Sequence, residues 1–329
     1  AGCVPPPRLE RRARQPSRRL RAPLLTLLRV CFLSRVCGVQ CFVEAAISAG
    51  LKVGTRRLDL AQRTEAAMGH AYGGNWNPDY MLEGVCAAAR LPPLLPDEVK
   101  RRLEHEKTFT SKADIAVVDK LYRTFFDGAA RFATRLNFQQ LAWGDEEVQQ
   151  LVGVLPRFAA LTALDLSRNK LGAAGAKEIA KYVKGSAVLK ECNVRGNNLD
   201  SESANVLAKV ATEKRVMLFG IKHDQTVADF SSQGLGPVDA VLIASDLRVS
   251  AVLTECTLIE NNLDVESAKM LAKIGTEKRI MFSGMKHDQT EASFYNHQLK
   301  PADGILIASD LRVSAVLTEC NVRRNKLDS

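Results

Sequence analysis

The sequence predicts an α/β repeat architecture, and three observations support this prediction. A 64-residue block at 189–252 recurs at 253–316 without a gap, and 40 of the 64 positions are identical. Each block opens with a short segment of alternating apolar residues, which is typical of a strand buried on one side. Each of these segments precedes apolar residues spaced three and four apart, which is typical of a helix. A fixed period of this kind indicates a fold built by stacking similar units.

An eleven-residue segment is the most specific pattern in the chain. LTALDLSRNKL at 161–171 fits L-x-x-L-x-L-x-x-N-x-L at every position. Related segments begin at Leu189, Leu253 and Leu317, at successive spacings of 28, 64 and 64 residues. The x-L-x-L part predicts a short strand with alternate side chains inward. The Asn amide is suited to bond backbone groups where the chain leaves the strand, so repeated Asn residues predict a ladder.

These segments and the helical patterns after them resemble the ribonuclease-inhibitor-like class of leucine-rich repeat. The resemblance covers 133–329 and implies a curved solenoid, with parallel strands on its concave face and helices on its convex face. A unit at 131–155 has Leu141 and Trp143 in the slots of Asn and Leu. Such departures are expected of a terminal repeat, because one of its sides has no neighbour.

The remaining chain divides into three parts. Residues 111–132 are predicted to form an amphipathic helix that caps the N-terminal end of the solenoid. Residues 44–110 are poorly defined and partly helical, and residues 1–43 are a basic leader that is disordered or serves in targeting. The array at 133–329 stops in mid-repeat, so the chain is expected to be a fragment of a longer protein.

Local patterns predict how individual helices begin and pack. Ser201 and Ser203 offer hydroxyl groups suited to an N-cap. The apolar stripe of the capping helix is expected to contain five residues, namely Ile115, Val118, Leu121, Tyr122 and Phe125.

The positive charge lies outside the repeats. Residues 1–132 hold 22 Lys and Arg against 13 Asp and Glu, whereas 133–329 hold 24 of each. A nucleic-acid partner is therefore not expected, since it would need a basic face on the fold itself.

The chain has no stretch of 18 uncharged apolar residues, so no transmembrane segment is expected. The leader at 1–43 is compatible with a secretory signal, organellar targeting or neither; the third is favoured, with a cytoplasmic location.

Each 64-residue block contains a second unit whose strand register stays open on sequence alone. One alignment puts Gln233 in the Asn slot and Phe230 in an inward slot, and it divides the block into units of 28 and 36 residues. The other starts the strand at Val216 and treats TVADFSSQ as an insertion. The first is favoured because Gly236-Pro237 suits the start of a helix.

The cysteines do not predict a metal site or a disulfide framework. Cys192, Cys256 and Cys320 recur 64 residues apart, and they are expected to point inward as small apolar side chains. Cys37 and Cys41 form a C-x3-C, but no second pair or histidine follows at zinc-ligand spacing. A reducing compartment is the simpler interpretation.

No sequence motif indicates catalysis. The chain lacks a phosphate-binding loop, a zinc-protease motif and a nucleophile elbow. KHDQT occurs twice, and its His223-Asp224 and His287-Asp288 pairs are compatible with acid–base chemistry, but no nucleophile accompanies them. A structural turn is expected at both places, with no catalytic residue, metal or cofactor.

The outward positions of the strands form the candidate binding surface, which the resemblance places on the concave face. Tyr295 with Arg323 and Arg324 is the expected anchor, because Tyr and Arg dominate interface hot spots. Ile259 is expected to be an exposed apolar residue of this surface. The candidate partner-binding residues are Asp165, Arg168, Asn193, Arg195, Asp229, Ile259, Glu260, Tyr295, Asn296, Asn321, Arg323 and Arg324.

The sequence therefore predicts a non-catalytic protein–protein interaction scaffold. One alternative is a GTPase-activating or other regulatory repeat protein, since one branch of the class has that activity, although no distinctive residue carries over to this chain. A second alternative is the interaction arm of a larger enzyme whose catalytic domain is missing from the fragment.

Overall fold

The computed structural model describes residues 56–58, 87–89, 91–105 and 113–327. The predictions for the leader at 1–43, for most of 44–110 and for the C-x3-C at Cys37 and Cys41 lie outside the described residues.

Within the described residues the protein is an α/β structure of short strands and longer helices. The strands are β1 (Arg56–Leu58), β2 (Ala87–Ala89), β3 (Arg135–Asn137), β4 (Ala163–Asp165), β5 (Glu191–Asn193), β6 (Val227–Asp229), β7 (Glu255–Thr257), β8 (Glu291–Ser293) and β9 (Glu319–Asn321). The α-helices are α1 (Pro96–His105), α2 (Ala113–Phe132), α3 (Asp145–Val154), α4 (Ala173–Gly185), α5 (Ser201–Lys214), α6 (Pro237–Val249), α7 (Val265–Lys278) and α8 (Pro301–Val313). A short 3-10 turn at Leu155–Arg157 follows α3.

Strands and helices alternate from β3 onward, and the strands pair in parallel. One sheet has the order β3-β4-β5, and two further pairs are β6-β7 and β8-β9. Paired residues lie 28 positions apart, as in the pairing of Leu164 with Cys192 and of Ala228 with Cys256. β1 and β2 form a separate antiparallel pair. The predicted parallel α/β arrangement of similar units is thus present.

Both segments that the two alignments propose as strands lie beside other strands. The second unit of the first block begins with β6, as the favoured alignment predicts; β6 lies 36 residues after β5 and 28 before β7, and Phe230 is buried after it. The segment that begins at Val216 also joins the ladder, because Met217 forms a parallel bridge with Glu191. The amide of Cys192 donates to the Met217 carbonyl at 2.7 Å. The residues at 216–221, called the additional segment below, therefore pair with β5. TVADFSSQ is not an insertion, as the other alignment had it, because it contains β6.

A buried carboxylate holds this additional segment. Asp246 of α6 is fully buried, and its Oδ1 and Oδ2 accept the backbone amides of Leu218 at 2.5 Å and Phe219 at 2.9 Å. In the second block, Asp310 of α8 binds the amides of Phe282 and Ser283 in the same way. Burial raises the pKa of Asp246 to about 7, although the amide hydrogen bonds act in the opposite direction.

We expect the Asp246→Asn variant to lose part of the protein's dependence of stability on pH. The ordinary pKa of 3.8 applies in the unfolded chain and about 7 in the folded one. Between these values the folded protein keeps a proton that the unfolded chain releases, so the free energy of unfolding falls as the pH rises. Urea unfolding at about pH 4.5 and pH 7.5 should show the native protein gaining stability on acidification relative to the variant. If the free energy of unfolding changed equally with pH in the two proteins, the raised pKa would not belong to Asp246.

Carboxylates rather than serine hydroxyls cap two of the helices. The N-cap of α5 is Asp200, whose Oδ1 accepts the amide of Ser203 at 2.7 Å. Asp264 caps α7 in the same manner, and the expectation that Ser201 and Ser203 supply the cap is therefore wrong. The Ser203 hydroxyl instead donates to the Asp200 carboxylate. α6 begins at Pro237 directly after Gly236, as expected.

The core lies between strands and helices. Cys192 and Cys256 are fully buried, whereas Cys320 is only partly buried. Burial raises the pKa of the Cys192 thiol to about 12, which makes it an unreactive core side chain. Cys192, Cys256 and Cys320 form a column of equivalent positions. The prediction that this column points inward is confirmed for Cys192 and Cys256.

α2 covers the first repeat unit. Its buried side chains include Tyr122 and Phe126, so Phe126 rather than Phe125 continues the apolar stripe. The Tyr122 hydroxyl donates to the Leu94 carbonyl at 2.7 Å, which fixes the segment before α1. The Phe126 ring meets Phe158 edge to face. Among the described helices, none combines the length and the apolarity needed to span a membrane.

Candidate functional site

Each of the strands β3–β9 ends in a turn of the same geometry. The third residue after the strand has a positive φ, between 53° and 69°, in all seven turns. These residues are Gln140, Arg168, Gly196, Ser232, Glu260, Asn296 and Arg324. We define the strand-end surface as the last residue of each of these strands together with the second and third residues after it. All twelve candidate partner-binding residues lie on it.

Four of the twelve candidates stabilise the turns themselves. The Oδ1 atoms of Asp165, Asn193, Asp229 and Asn321 each accept the backbone amide two residues later, at 2.9 to 3.2 Å. At Asp229 the amide and hydroxyl of Ser231 lower the pKa of the carboxyl. Because Asx side chains in such turns bond locally, these residues shape the surface.

The predicted asparagine ladder lies directly behind this surface. The Asn261 Oδ1 accepts the amides of Gln233 and Leu235, each at 3.0 Å, and its Nδ2 donates to the carbonyls of Phe230 and Leu258, each at 2.8 Å. Three other asparagines bond the backbones of adjacent turns in a similar way, namely Asn169, Asn197 and Asn325. These asparagines fix the turns after β4, β5, β7 and β9 to the preceding turn, whereas the turns after β6 and β8 have Gln233 and His297 in this slot.

Gln233 occupies the asparagine slot of its unit but does not continue the ladder. Its side chain is exposed, and its Nε2 donates to the Asp229 carbonyl at 3.2 Å within the same turn. Its Oε1 accepts a hydrogen bond from the Arg195 guanidinium. The Gln233 side chain therefore lies beside the strand-end surface and takes no part in the ladder.

Arg195 is held against two aromatic rings. Its Cζ lies 5.0 Å from the centre of the Phe219 ring and 5.2 Å from that of Phe230. The two rings contact each other edge to face, with centres 5.2 Å apart. Such contacts fix the guanidinium in one position, because the ring faces attract a cation.

The second block has a carboxylate and an imidazole at the positions that correspond to this part of the first block. The Glu260 Oε2 accepts the Ser232 hydroxyl at 2.6 Å, and its Oε1 lies 2.9 Å from the His297 Nδ1. Both contacts lower the pKa of Glu260. The serine bonds the carboxylate and not the imidazole, so these three residues do not form the relay of a nucleophilic triad.

The expected anchor is present only in part. Tyr295 is exposed, and the Arg324 Cζ lies 5.2 Å from its ring centre. Arg323 is exposed and makes no ring contact or ion pair among the described residues. The structure therefore brings Tyr295 together with Arg324 and leaves Arg323 apart from that pair.

The prediction that Ile259 is exposed is wrong. Its side chain is only 7% exposed, and it packs in an apolar cluster with Met281 and Phe294. The position corresponds to Arg195 in the first block, whose guanidinium likewise covers aromatic rings. The physical reason is that this slot lies over the bulky side chains of the additional segment, so an apolar residue there becomes core.

Three residues of the site, Gln233, His297 and Phe219, are not among the twelve candidate partner-binding residues. Gln233 was expected only as an occupant of the asparagine slot, and Phe219 belonged to the alternative strand register. The signal that could have found Gln233 and His297 is their mutual difference at a slot that holds Asn in four other units.

The KHDQT segments form turns. The Gln225 amide donates to the Lys222 carbonyl at 3.1 Å, and the Gln225 Nε2 donates to the Val227 carbonyl at 2.8 Å. The His223 Nε2 lies 3.2 Å from the Lys190 carbonyl. The histidine ring thus contacts backbone and does not face a hydroxyl or thiol nucleophile.

No protein-family model matches the chain, and no curated protein matches it at a significant level.

Proposed function

We propose that the protein is a leucine-rich-repeat scaffold of the ribonuclease-inhibitor-like class, which binds a protein partner through its strand-end surface and performs no chemistry there. In such a solenoid the strands line a concave face, and that face presents the strand-end surface to the partner.

The hydrogen bonding of the repeats supports the proposed class. The 28-residue register, the buried apolar slots and the asparagines that bind the preceding turn are the features that the leucine-rich-repeat pattern implies. The parallel strands each lead through one turn to one helix, which agrees with stacked units.

The difference between the two blocks carries the functional proposal. Of the 64 aligned positions 24 differ, and these include all 6 positions of the strand-end surface at 193, 195–196, 229 and 231–232. Only 18 of the other 58 positions differ. The two blocks therefore present different side chains from equivalent turns, which is the arrangement that recognition of a specific partner uses.

The mixed charge of the strand-end surface fits a protein partner. It combines Arg168, Arg195, Arg323 and Arg324 with Asp165, Asp229 and Glu260. Electrostatic complementarity between proteins uses both signs, while a polyanion favours one sign.

The proposal is tested by photo-crosslinking of the full chain in cells. A photoreactive phenylalanine replaces Tyr295 or, as a control, Val206 of α5, because both side chains are 43% exposed. We expect a discrete crosslinked protein from position 295 and none from position 206. Replacing Arg324 with Ala should weaken that crosslink, at roughly 2 kcal/mol for a true hot spot. A crosslink that forms only from the helix position would contradict the proposed surface.

A further inference from the structure

The Arg195 guanidinium is a charged group that the fold partly withdraws from water. It lies over Phe219 and Phe230, and its one side-chain hydrogen bond goes to the neutral amide of Gln233. Burial lowers the pKa of Arg195 from its ordinary value, which is the expected response of a partly desolvated cation. The positive charge remains, because the guanidinium stays protonated in proteins.

A second cation lies beside it. Arg168, from the preceding turn, lies along the backbone of Gly196, and a Cβ at Gly196 would be 3.4 Å from the Arg168 Cγ. Its charge contributes to the lowered pKa of Arg195. The Arg168 side chain is exposed, and neither guanidinium forms an ion pair among the described residues.

Two acidic residues of this part of the fold have hydrogen-bond partners other than the arginines. The Asp165 Oδ1 accepts the amide and the hydroxyl of Ser167, at 2.9 and 2.7 Å. Asp239 acts on Arg195 at a distance, while its Oδ2 accepts the amide of Gly236 at 2.9 Å. The first block therefore has two adjacent cations whose direct anionic partner is missing from the described part of the chain.

In the second block, the residues equivalent to this site include a carboxylate that has hydrogen-bond partners. The residues equivalent to Arg195, Gly196 and Gln233 are Ile259, Glu260 and His297, and Glu260 bonds His297. The backbone has nearly the same conformation, with φ of 69° at Gly196 and 63° at Glu260. Glycine therefore leaves the first block without the carboxylate that the second block has at this position.

We propose that Arg168 and Arg195 form a binding site for the carboxylates of an acidic segment in the protein partner, with the Phe219 and Phe230 rings orienting Arg195. Two guanidinium groups from adjacent turns suit a pair of carboxylates, because each presents several N–H donors in a planar fork. This inference rests on the proposed function and adds the chemistry of the partner to it.

The surroundings of the arginine pair favour a short acidic segment over a nucleic acid. Four glutamates, Glu191, Glu255, Glu291 and Glu319, begin four of the strands on the same side of the sheets. A continuous polyanion that lay across the strands would meet these carboxylates. A local group of two carboxylates between neutral residues can reach the arginines without lying across these strands.

The experiment is a selection of random peptides displayed on phage against the full-length protein. We expect the selected peptides to be enriched in adjacent Asp or Glu residues. A fluorescein-labelled synthetic copy of the leading peptide then gives a dissociation constant by fluorescence anisotropy. The same peptide with Gln in place of each acidic residue should bind at least tenfold more weakly.

Two variants take their new side chains from the second block, which shows that this backbone accommodates them. Arg195→Ile copies Ile259, and Gly196→Glu copies Glu260 and supplies a carboxylate to both arginines. Each should weaken binding of the acidic peptide at least tenfold. Arg248→Ile is the matched control, because it removes the same charge from an exposed position of α6 and should leave the dissociation constant unchanged. Circular dichroism confirms that each variant is folded.

The outcomes separate this inference from the proposed function. If the native protein selects peptides without acidic residues, or if both variants keep the affinity for the acidic peptide, the arginine site is wrong and the interaction scaffold stands. If no peptide binds the strand-end surface, the proposed function fails as well. Tighter binding of a single-stranded oligonucleotide of equal charge, released by salt, would replace the protein partner with a nucleic acid.

Discussion

Replacing Asn261 with Ala is expected to lower the free energy of unfolding by at least ~3 kcal/mol. The Asn261 side chain is 3% exposed and bonds four backbone groups, two amides and two carbonyls. Alanine leaves these groups without partners, and each buried unsatisfied group costs about 1–3 kcal/mol. The measurement is the urea midpoint followed by circular dichroism, with the slope of the transition checked for a change of folding mechanism.

Gln233→Ala is the matched control for this prediction, since Gln233 occupies the same slot of the neighbouring unit. Its side chain is exposed and bonds the Asp229 carbonyl and the Arg195 guanidinium. Because water can replace these contacts, we expect a loss below about 0.5 kcal/mol. Equal losses in the two variants would show that the ladder does not connect the units.

The parts of the fold that the sequence predicted are those that repeat. The spacing of Leu161, Leu189 and Leu253 located strands β4, β5 and β7, because an inward side chain is required at the same place in every unit. The asparagine ladder followed from the same argument. Packing of identical units forces these positions, so a pattern in one chain is sufficient to find them.

The additional segment of the 36-residue unit could not be placed by the same reasoning. It pairs through Met217 and depends on Asp246, a charged residue that a helix pattern assigns to solvent. A buried carboxylate that accepts backbone amides from a segment 28 positions earlier has no local signature. The distinction between a strand and an insertion was therefore decided by a tertiary contact.

The site was predicted at the level of the surface and not of its contacts. The outward slots identified Arg195 and Glu260, because strand alternation fixes which side chains face outward. Alternation does not predict which side chains lie next to each other across a turn. It therefore did not predict the contacts of the Phe219 ring and the His297 imidazole. Ile259 was misjudged for the same reason, since its burial comes from the additional segment.

Cys256→Asp should lower the free energy of unfolding by roughly 3–5 kcal/mol, the range for an unpaired charge in a protein core. The Cys256 side chain has no exposed surface, and burial raises the pKa of its thiol, so the site disfavours a negative charge already in the native protein. The buried Asp246 and the nearby Asp229 add to this effect through their own negative charge. The expected result is a large fall in the urea midpoint, or an unfolded protein if the native stability is at the low end for a domain.

Cys320→Asp gives the comparison that makes the prediction decisive. Cys320 occupies the same slot in β9 and is only partly buried, so water reaches the new carboxylate and the loss should be much smaller. If Cys256→Asp abolishes folding, Cys256→Ser is the variant to measure, because it keeps the size of the side chain. It should still lower stability by about 1–3 kcal/mol, since a hydroxyl is buried where no hydrogen-bond partner is positioned for it. An unchanged midpoint in Cys256→Asp would mean that this column does not point inward, and the assignment of every strand from β4 to β9 would fail with it.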